Sequence, residues 1–403
     1  MSRFSKPAPG PRGPDGARTE PAGDDATVSA ATGDEVVDSV LYLEAGTAHF
    51  ADGDVEGAIE LWQRAVDRNP RLIEAWIDLG RAHRAAGNPA AAVDSLRRAV
   101  DLDHVRGDAW FELGRSLEAG GEKGEALNAY RRATEFGPDV AEAWSNLGAS
   151  LEGADRHCEA VDCYRKALAI QDDMGEVWCN LGNALTTLSR FEEASDAYRR
   201  ALDAEPESAR YWFNLAYARA GLGQLEAALQ AYRRAAELKP EDHAIWYNLG
   251  GAFADLGDSA EAARAYRVAI GLRPEDPLSW NNLGNTLVQL DQGSDALECY
   301  RKAVEIAPDY DVAWNNLGVA LNGLGEFDSA LHAYSRALDA GPPRPTYLIN
   351  QASVLARTGR REEAVERLAR AVEIDPKLRG LLSGLPEFKE LVRDPRICPV
   401  EEE

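Results

Sequence analysis

The chain has 403 residues, 45% of them hydrophobic, and a formal net charge of −24 from 44 Lys and Arg against 68 Asp and Glu. An acidic excess of this size repels phosphate backbones and anionic lipid, which argues against nucleic acid or membrane as partners and for a neutral to basic polypeptide. Five cysteines are too few and too scattered for a disulfide framework, and neither a bilayer-spanning stretch nor an apolar leader is visible, so a cytoplasmic location is expected.

Residues 1–38 hold five prolines, five glycines and a single aromatic, Phe4, among mixed charges. With so little to bury, they are expected to form a disordered tail. From Ser39 to Leu378 the chain keeps one register, 340 residues in ten repeats of 34 that start at 39, 73, 107, 141, 175, 209, 243, 277, 311 and 345. Residues are placed below by their position, 1 to 34, within a repeat. The phrase Trp280-Asn281-Asn282-Leu283-Gly284 returns as Trp314-Asn315-Asn316-Leu317-Gly318, and position 4 is Trp in eight successive repeats, Trp76 to Trp314. Position 8 is Gly or Ala, positions 20 and 27 are Ala throughout, position 24 is Tyr from Tyr130 to Tyr334, and position 32 is Pro in eight repeats. Self-similarity at this period predicts an all-α solenoid of helix-turn-helix units, each contacting its neighbours.

Positions 4, 7, 8 and 11 share one face of a first helix, and 20, 24 and 27 one face of a second. Gly at 8 and Ala at 20 are expected to let two backbones approach closely, with the large residues at 4 and 24 beside them. Glycines at position 15, such as Gly223, Gly257 and Gly325, end the first helix, and Pro at 32 stops the second. Beyond Leu378, residues 379–403 carry Leu381, Leu382, Leu385, Phe388, Leu391 and Val392 at helical spacing. They are expected to form a capping helix interrupted at Pro386, followed by the acidic tail Glu401–Glu403.

This pattern resembles the tetratricopeptide repeat, W-x2-L-G-x2-Y…A-x3-F…P, across 340 of the 403 residues. The resemblance implies a right-handed superhelix whose first helices line a concave groove, and a role in binding protein or peptide.

Positions 2, 6, 9 and 13 point away from the packed face of the first helix. Position 6 is Asn in seven successive repeats: Asn146, Asn180, Asn214, Asn248, Asn282, Asn316 and Asn350. A carboxamide both donates and accepts, so each rung of such a ladder can pair with a peptide group whatever the side chain. The array is similar to the asparagine ladder in the repeat half of O-linked N-acetylglucosamine transferases, which grips acceptor peptides. Nothing after residue 378 is expected to supply a glycosyltransferase domain. The other reading is that Asn serves local hydrogen bonding and solubility.

Toward the N-terminus, Glu74, Asp78, Asp108 and Glu112, continued by Glu142 and Glu176, make positions 2 and 6 acidic; farther on the same stripe reads Ala244, Leu278 and Val312 beside asparagines. This reads either as an acidic mouth for basic ligand before a neutral trough, or as a solvated face neutralised by the pairs Asp78–Arg81 and Glu112–Arg115. A clamp for C-terminal carboxylates, which in this family uses Lys at position 5 and Arg at 6, is argued against by the absence of both. His157, Cys158 and Cys163 lack a second cluster to complete a zinc site, and no phosphate-binding glycine loop occurs. The expectation is a non-enzymatic scaffold, without metal or cofactor, that binds an extended polypeptide. The alternatives are a self-assembling solenoid and a targeting subunit for a separately encoded glycosyltransferase.

Overall fold

The computed structural model describes residues 33–397. Residues 1–32 of the tail expected over 1–38, together with Cys398 and the closing Glu401–Glu403, lie outside the described residues. Twenty helices form ten consecutive pairs. The first five pairs are α1 (Gly33–Ala51) with α2 (Val55–Arg68), α3 (Ile73–Ala85) with α4 (Pro89–Leu102), α5 (Gly107–Ala119) with α6 (Lys123–Phe136), α7 (Ala141–Glu152) with α8 (His157–Ile170), and α9 (Gly175–Thr187) with α10 (Phe191–Ala204). The others are α11 (Ala209–Gly221) with α12 (Leu225–Leu238), α13 (His243–Leu256) with α14 (Ser259–Leu272), α15 (Pro277–Gln289) with α16 (Gly293–Ile306), α17 (Asp311–Gly323) with α18 (Phe327–Ala340), and α19 (Pro345–Arg357) with α20 (Arg361–Ile374). No strand occurs among the described residues. No helix among them is long and apolar enough to cross a membrane.

The chain divides into two compact bodies, one ending at Val105 and taking in Arg115–Gly121, the other made of Arg106–Gly114 and Glu122 onward. In the second body, from α6 to α20, each helix packs on those next to it in sequence. From α7 onward the first helices of successive repeats also touch one another. That row of first helices carries the candidate site.

Four devices written into the 34-residue pattern set the geometry. Position 15 adopts positive φ in all ten repeats; seven are Gly, and Asp155, Ser189 and Asp291 take φ of 56–57°. A left-handed residue ends the first helix and reverses the chain, which is why glycine dominates there. The tyrosines at position 24, such as Tyr130, Tyr164 and Tyr334, are almost wholly buried. Their rings occupy the space left by the glycine at position 8: a Cβ on Gly284 would stand 2.6 Å from Cε1 of Tyr300, and one on Gly182 would stand 2.5 Å from Cε1 of Tyr198. The glycine thus makes room for the ring at 24 rather than for the backbone near Ala at 20, a correction to the expected close approach.

The tryptophans at position 4 are half-buried. Their indole N–H groups donate to the carbonyl at position 32 of the preceding repeat, from Trp76 to Pro70 at 3.0 Å through Trp246 to Pro240 at 2.8 Å to Trp314 to Pro308 at 2.9 Å. Each fixes the link between two repeats and satisfies a carbonyl left open at a helix end.

Two boundaries differ from expectation. The helix α1 begins at Gly33, ahead of the Ser39 start of the first repeat. At the other end the cap is α21 (Leu378–Ser383), a single 3-10 turn at Pro386–Phe388 and further turns, not one helix. Gly384 and Pro386 break it. Leu382, Phe388, Leu391, Val392 and Ile397 are buried, whereas Leu381 stays 61% exposed. Arg396 ties the cap to α20 through Glu362 at 2.7 Å.

Candidate polypeptide-binding face

The seven asparagines of position 6 all lie on the first helices α7 to α19, and all are half-buried. The sequence places them outward, but adjoining first helices bring each rung against the repeat before it. They fall into two classes.

Four rungs are zippered. Asn350 Nδ2 donates to Asn315 Oδ1 at 3.0 Å, and Asn316 Nδ2 donates to Asn281 Oδ1 at 2.9 Å and to Asn285 Oδ1 at 3.2 Å. Asn282 Nδ2 donates to the Tyr247 hydroxyl at 3.1 Å, and Asn214 Nδ2 to Asn183 Oδ1 at 3.1 Å. Within a repeat, Asn315 donates to Asn316 at 3.4 Å and Asn281 to Asn282 at 3.3 Å. A run of carboxamides therefore crosses from α19 through α17 and α15 to α13. Asn281, at its centre, is only 2% exposed. The acceptors are themselves held from below, since Tyr198 and Tyr300 donate to Asn183 and Asn285 at 2.9 and 2.8 Å. Burial pushes both tyrosine hydroxyls above their ordinary range, which keeps them donors.

The other three are not zippered. Asn146 and Asn180 make no hydrogen bond among the described residues, and neither has a buried, unsatisfied amide atom. Asn248 Nδ2 turns back to its own helix, onto Ala244 O at 2.8 Å. The cause lies in the preceding repeat, chiefly one position earlier, although Asn214 reaches Asn183 at position 9 as well as Cys179 Sγ at 3.5 Å. Zippered rungs face Cys179, Tyr247, Asn281 or Asn315 at position 5; the others face Phe111, Ser145 and Phe213. A phenyl ring offers no carbonyl or hydroxyl acceptor, and Ser145 makes no hydrogen bond to Asn180 among the described residues. Position 5 was the overlooked signal.

The acidic stripe is uneven. In the first body Glu74 is exposed, and Asp78 is half-buried and paired with Arg81 at 3.1 Å. In the second, Asp108 is exposed and bound by Arg106 through both oxygens at 2.9 Å. Glu112 is buried, 5% exposed, so it does not line a solvated rim; the packing of its helix encloses position 6 there. Glu142 stands exposed one turn before Asn146. Glu176 is bridged to Arg210 and accepts from the Tyr211 hydroxyl at 3.2 Å. The Arg210 guanidinium holds that carboxyl below its usual range. Beyond these acids, Tyr217, Leu278 and Val319 are exposed at positions 9, 2 and 9 of the same face. Between α11 and α13 a cavity of about 240 Å³ opens, floored by Phe213, Ala244 and Ile245, with Arg210, Lys239 and Asp242 at its rim.

Of the four free cysteines among the described residues, Cys158 is exposed and the other three are buried. Burial pushes the thiols of Cys163, Cys179 and Cys299 up to about 11, against thiolate formation. The fold also brings together a trio not foreseen in the sequence: His243 Nε2 lies 3.2 Å from Ser279 Oγ and 3.3 Å from Asp276 Oδ2. Ser279 is fully buried and its hydroxyl donates to Asp276 at 2.5 Å. A nucleophile would need its proton on the histidine. The trio is a lock between repeats.

Two family models, both described as tetratricopeptide repeat, match the chain, one at residues 43–105, 77–139, 179–243, 218–277 and 323–378, the other at 139–205 and 276–342. Among solved structures, a MamA protein is 26% identical over 45% of this chain and 97% of its own, with a TM-score of 0.40. YrrB, described as a TPR protein with an unusual peptide-binding site, is 26% identical over 46% of this chain and 96% of its own, with a TM-score of 0.42. The pilF protein of Pseudomonas aeruginosa is 20% identical over 55% and 98%, with a TM-score of 0.47. No curated protein matches the sequence.

Proposed function

The chain belongs to the tetratricopeptide repeat family, and we propose that it is a non-enzymatic scaffold whose first helices bind an extended polypeptide. The observation that carries this reading is the pair Asn146 and Asn180, one repeat apart on one face and without an internal hydrogen bond among the described residues. Each can give its N–H to a peptide carbonyl and take a peptide N–H, so together they hold backbone irrespective of side chain. Exposed Glu142 and the net charge of −24 favour a neutral to basic segment. The exposed Tyr217, Leu278 and Val319 supply apolar contact farther along. Asn214, Asn282, Asn316 and Asn350 are the scaffold on which this face is built.

The test is selection of peptides from a random display library on the intact protein, followed by affinity measurement. Asn146→Ala with Asn180→Ala should weaken the selected peptides by about tenfold or more, from two hydrogen bonds of about 0.5–1.5 kcal/mol each. Peptides bound as tightly by the double variant as by the wild type would remove the reading.

A second reading, self-assembly, is favoured by one feature of α1. Position 3 is buried in repeats two to ten, from Ala75 to Tyr347, but in the first repeat it is Leu41, 57% exposed beside Val37 and Val40. Concentration-dependent light scattering that Leu41→Glu abolishes would support it; a monomer at all concentrations would dismiss it.

A further inference from the structure

Two troughs between second helices of neighbouring repeats are floored by a position-4 tryptophan, Trp178 between α8 and α10 and Trp246 between α12 and α14. Two devices elsewhere in the array place charge over such a tryptophan or across such a trough. Position 26 is Lys or Arg in nine of the ten repeats. Where it reaches the indole it covers the ring: Lys166 Nζ lies 4.1 Å from the Trp144 ring centre, and the Arg336 guanidinium lies 4.9 Å from that of Trp314. The second device is a bridge across the trough from position 25 to position 19 of the next repeat, Arg165 to Glu193 at 2.6 Å and Arg131 to Glu159 at 4.0 Å.

Both devices are missing between α12 and α14. Position 26 is Val268, 39% exposed. Arg233 and Glu261 hold the bridging positions, yet Glu261 pairs with Arg264 on its own helix. Arg233 instead lies over the Phe253 ring, 5.4 Å from its centre, and makes no ion pair or hydrogen bond among the described residues. A cavity of about 430 Å³ lies there, floored by Trp246, Leu249 and Phe253 and walled by Ala265 and Val268. The corresponding trough over Trp178 is larger, about 670 Å³, and charges at its rim are tied up in pairs, among them Arg165 with Glu193 and Arg199 with Asp196. The Trp246 indole is anchored by its bond to Pro240 O at 2.8 Å, so its face is presented without loss of motion on binding.

We propose that the trough over Trp246 is a second docking site, for a polypeptide segment that presents an apolar side chain beside a carboxylate. The apolar group fills the cavity, and the carboxylate pairs with Arg233. Charge complementarity selects the acid: Arg234 and Glu237 neutralise each other at 2.9 Å, as do Arg264 and Glu261, which leaves Arg233 as the uncompensated charge at the rim. The site is independent of the asparagine face. Trp246 and Asn248 stand two residues apart on α13, and so on opposite sides of that helix.

The test uses Val268→Arg, which installs the kind of residue the nine other repeats carry and so should leave the melting curve unchanged. The first probe is 8-anilinonaphthalene-1-sulfonate, an aromatic anion, titrated into the intact protein. Saturable binding that Val268→Arg removes, and that Arg233→Gln weakens by about tenfold, is expected from loss of one charge-assisted contact. The second arm selects random peptides on the wild type with counter-selection on Val268→Arg. Enriched sequences should pair an apolar residue with Asp or Glu, lose affinity with Arg233→Gln and keep it with Asn146→Ala plus Asn180→Ala. Dye binding indifferent to Val268→Arg overturns the site. Failure to recover any peptide that discriminates the two proteins overturns its use for polypeptide, even where the dye binds.

Discussion

The asparagines of repeats four and five and those of repeats eight to ten occupy the same position of the same motif, yet they do different work. Asn146 and Asn180 make no internal bond among the described residues, while Asn282, Asn316 and Asn350 join their repeats in one carboxamide run. The difference lies in the neighbour. Where position 5 of the preceding repeat carries an acceptor within reach, the rung closes; where it carries Phe111 or Ser145, the rung stays open. One residue type at one position can thus join repeats in one part of an array and stay without an internal bond in another.

Packing should not distinguish the two halves, and the largest expected effect tests that. Gly284→Leu and Gly182→Leu each drive a side chain into a buried tyrosine, Tyr300 or Tyr198. Each should destabilise its neighbourhood by about 3 kcal/mol through overpacking. Local stability read by amide hydrogen exchange suits a repeat array that need not unfold in one step. Losses differing by more than about 1 kcal/mol would mean that the halves already differ in their cores.

Hydrogen bonding should separate them. Asn316→Ala with Asn350→Ala removes the donors to Asn281 and Asn315, and the Asn281 carbonyl is nearly inaccessible to water. A loss of about 2–4 kcal/mol is expected from two bonds and one stranded buried acceptor. Asn146→Ala with Asn180→Ala should change stability by no more than about 0.5 kcal/mol, as for surface positions without partners. Equal losses in denaturant titrations of the two double variants would erase the distinction.

A smaller effect provides a control away from the ladder. Ser189 holds φ of 57° at position 15, where seven repeats use glycine. Ser189→Gly should stabilise by about 0.5–1 kcal/mol, the relief of a left-handed residue less the added freedom of the unfolded chain. A destabilised variant would show that the serine side chain contributes more than its backbone costs.

The all-α pairing, the repeat register and the turn at position 15 were legible in the sequence, because Trp, Gly, Ala, Tyr and Pro recur at fixed positions. Which small residue faces which large one was not: Gly284 makes room for the Tyr300 ring, not for a backbone. Nor was the true start of α1 at Gly33, where a run of tail-like composition continues directly into helix. The ladder was visible as seven asparagines, but its division was hidden at position 5, where identity rather than periodicity decides. Burial of Glu112 was equally invisible, since a carboxylate at an outward position gives no sign of enclosure. The exceptional repeat, with Phe253 and Val268, stood in plain sight as a departure from pattern. It gained meaning only when the open cavity and unbridged Arg233 appeared beside it.

The most direct test of the central claim is to close an open rung. Ser145→Asn places a carboxamide at position 5 before Asn180, the arrangement found at Asn281 and Asn316. Peptides selected on the wild type should bind the variant about three- to tenfold more weakly, while local stability around α7 and α9 rises by about 0.5–1.5 kcal/mol for the added bond. Undiminished peptide affinity in a variant so stabilised would contradict the account, because the rung would be closed and the binding face untouched.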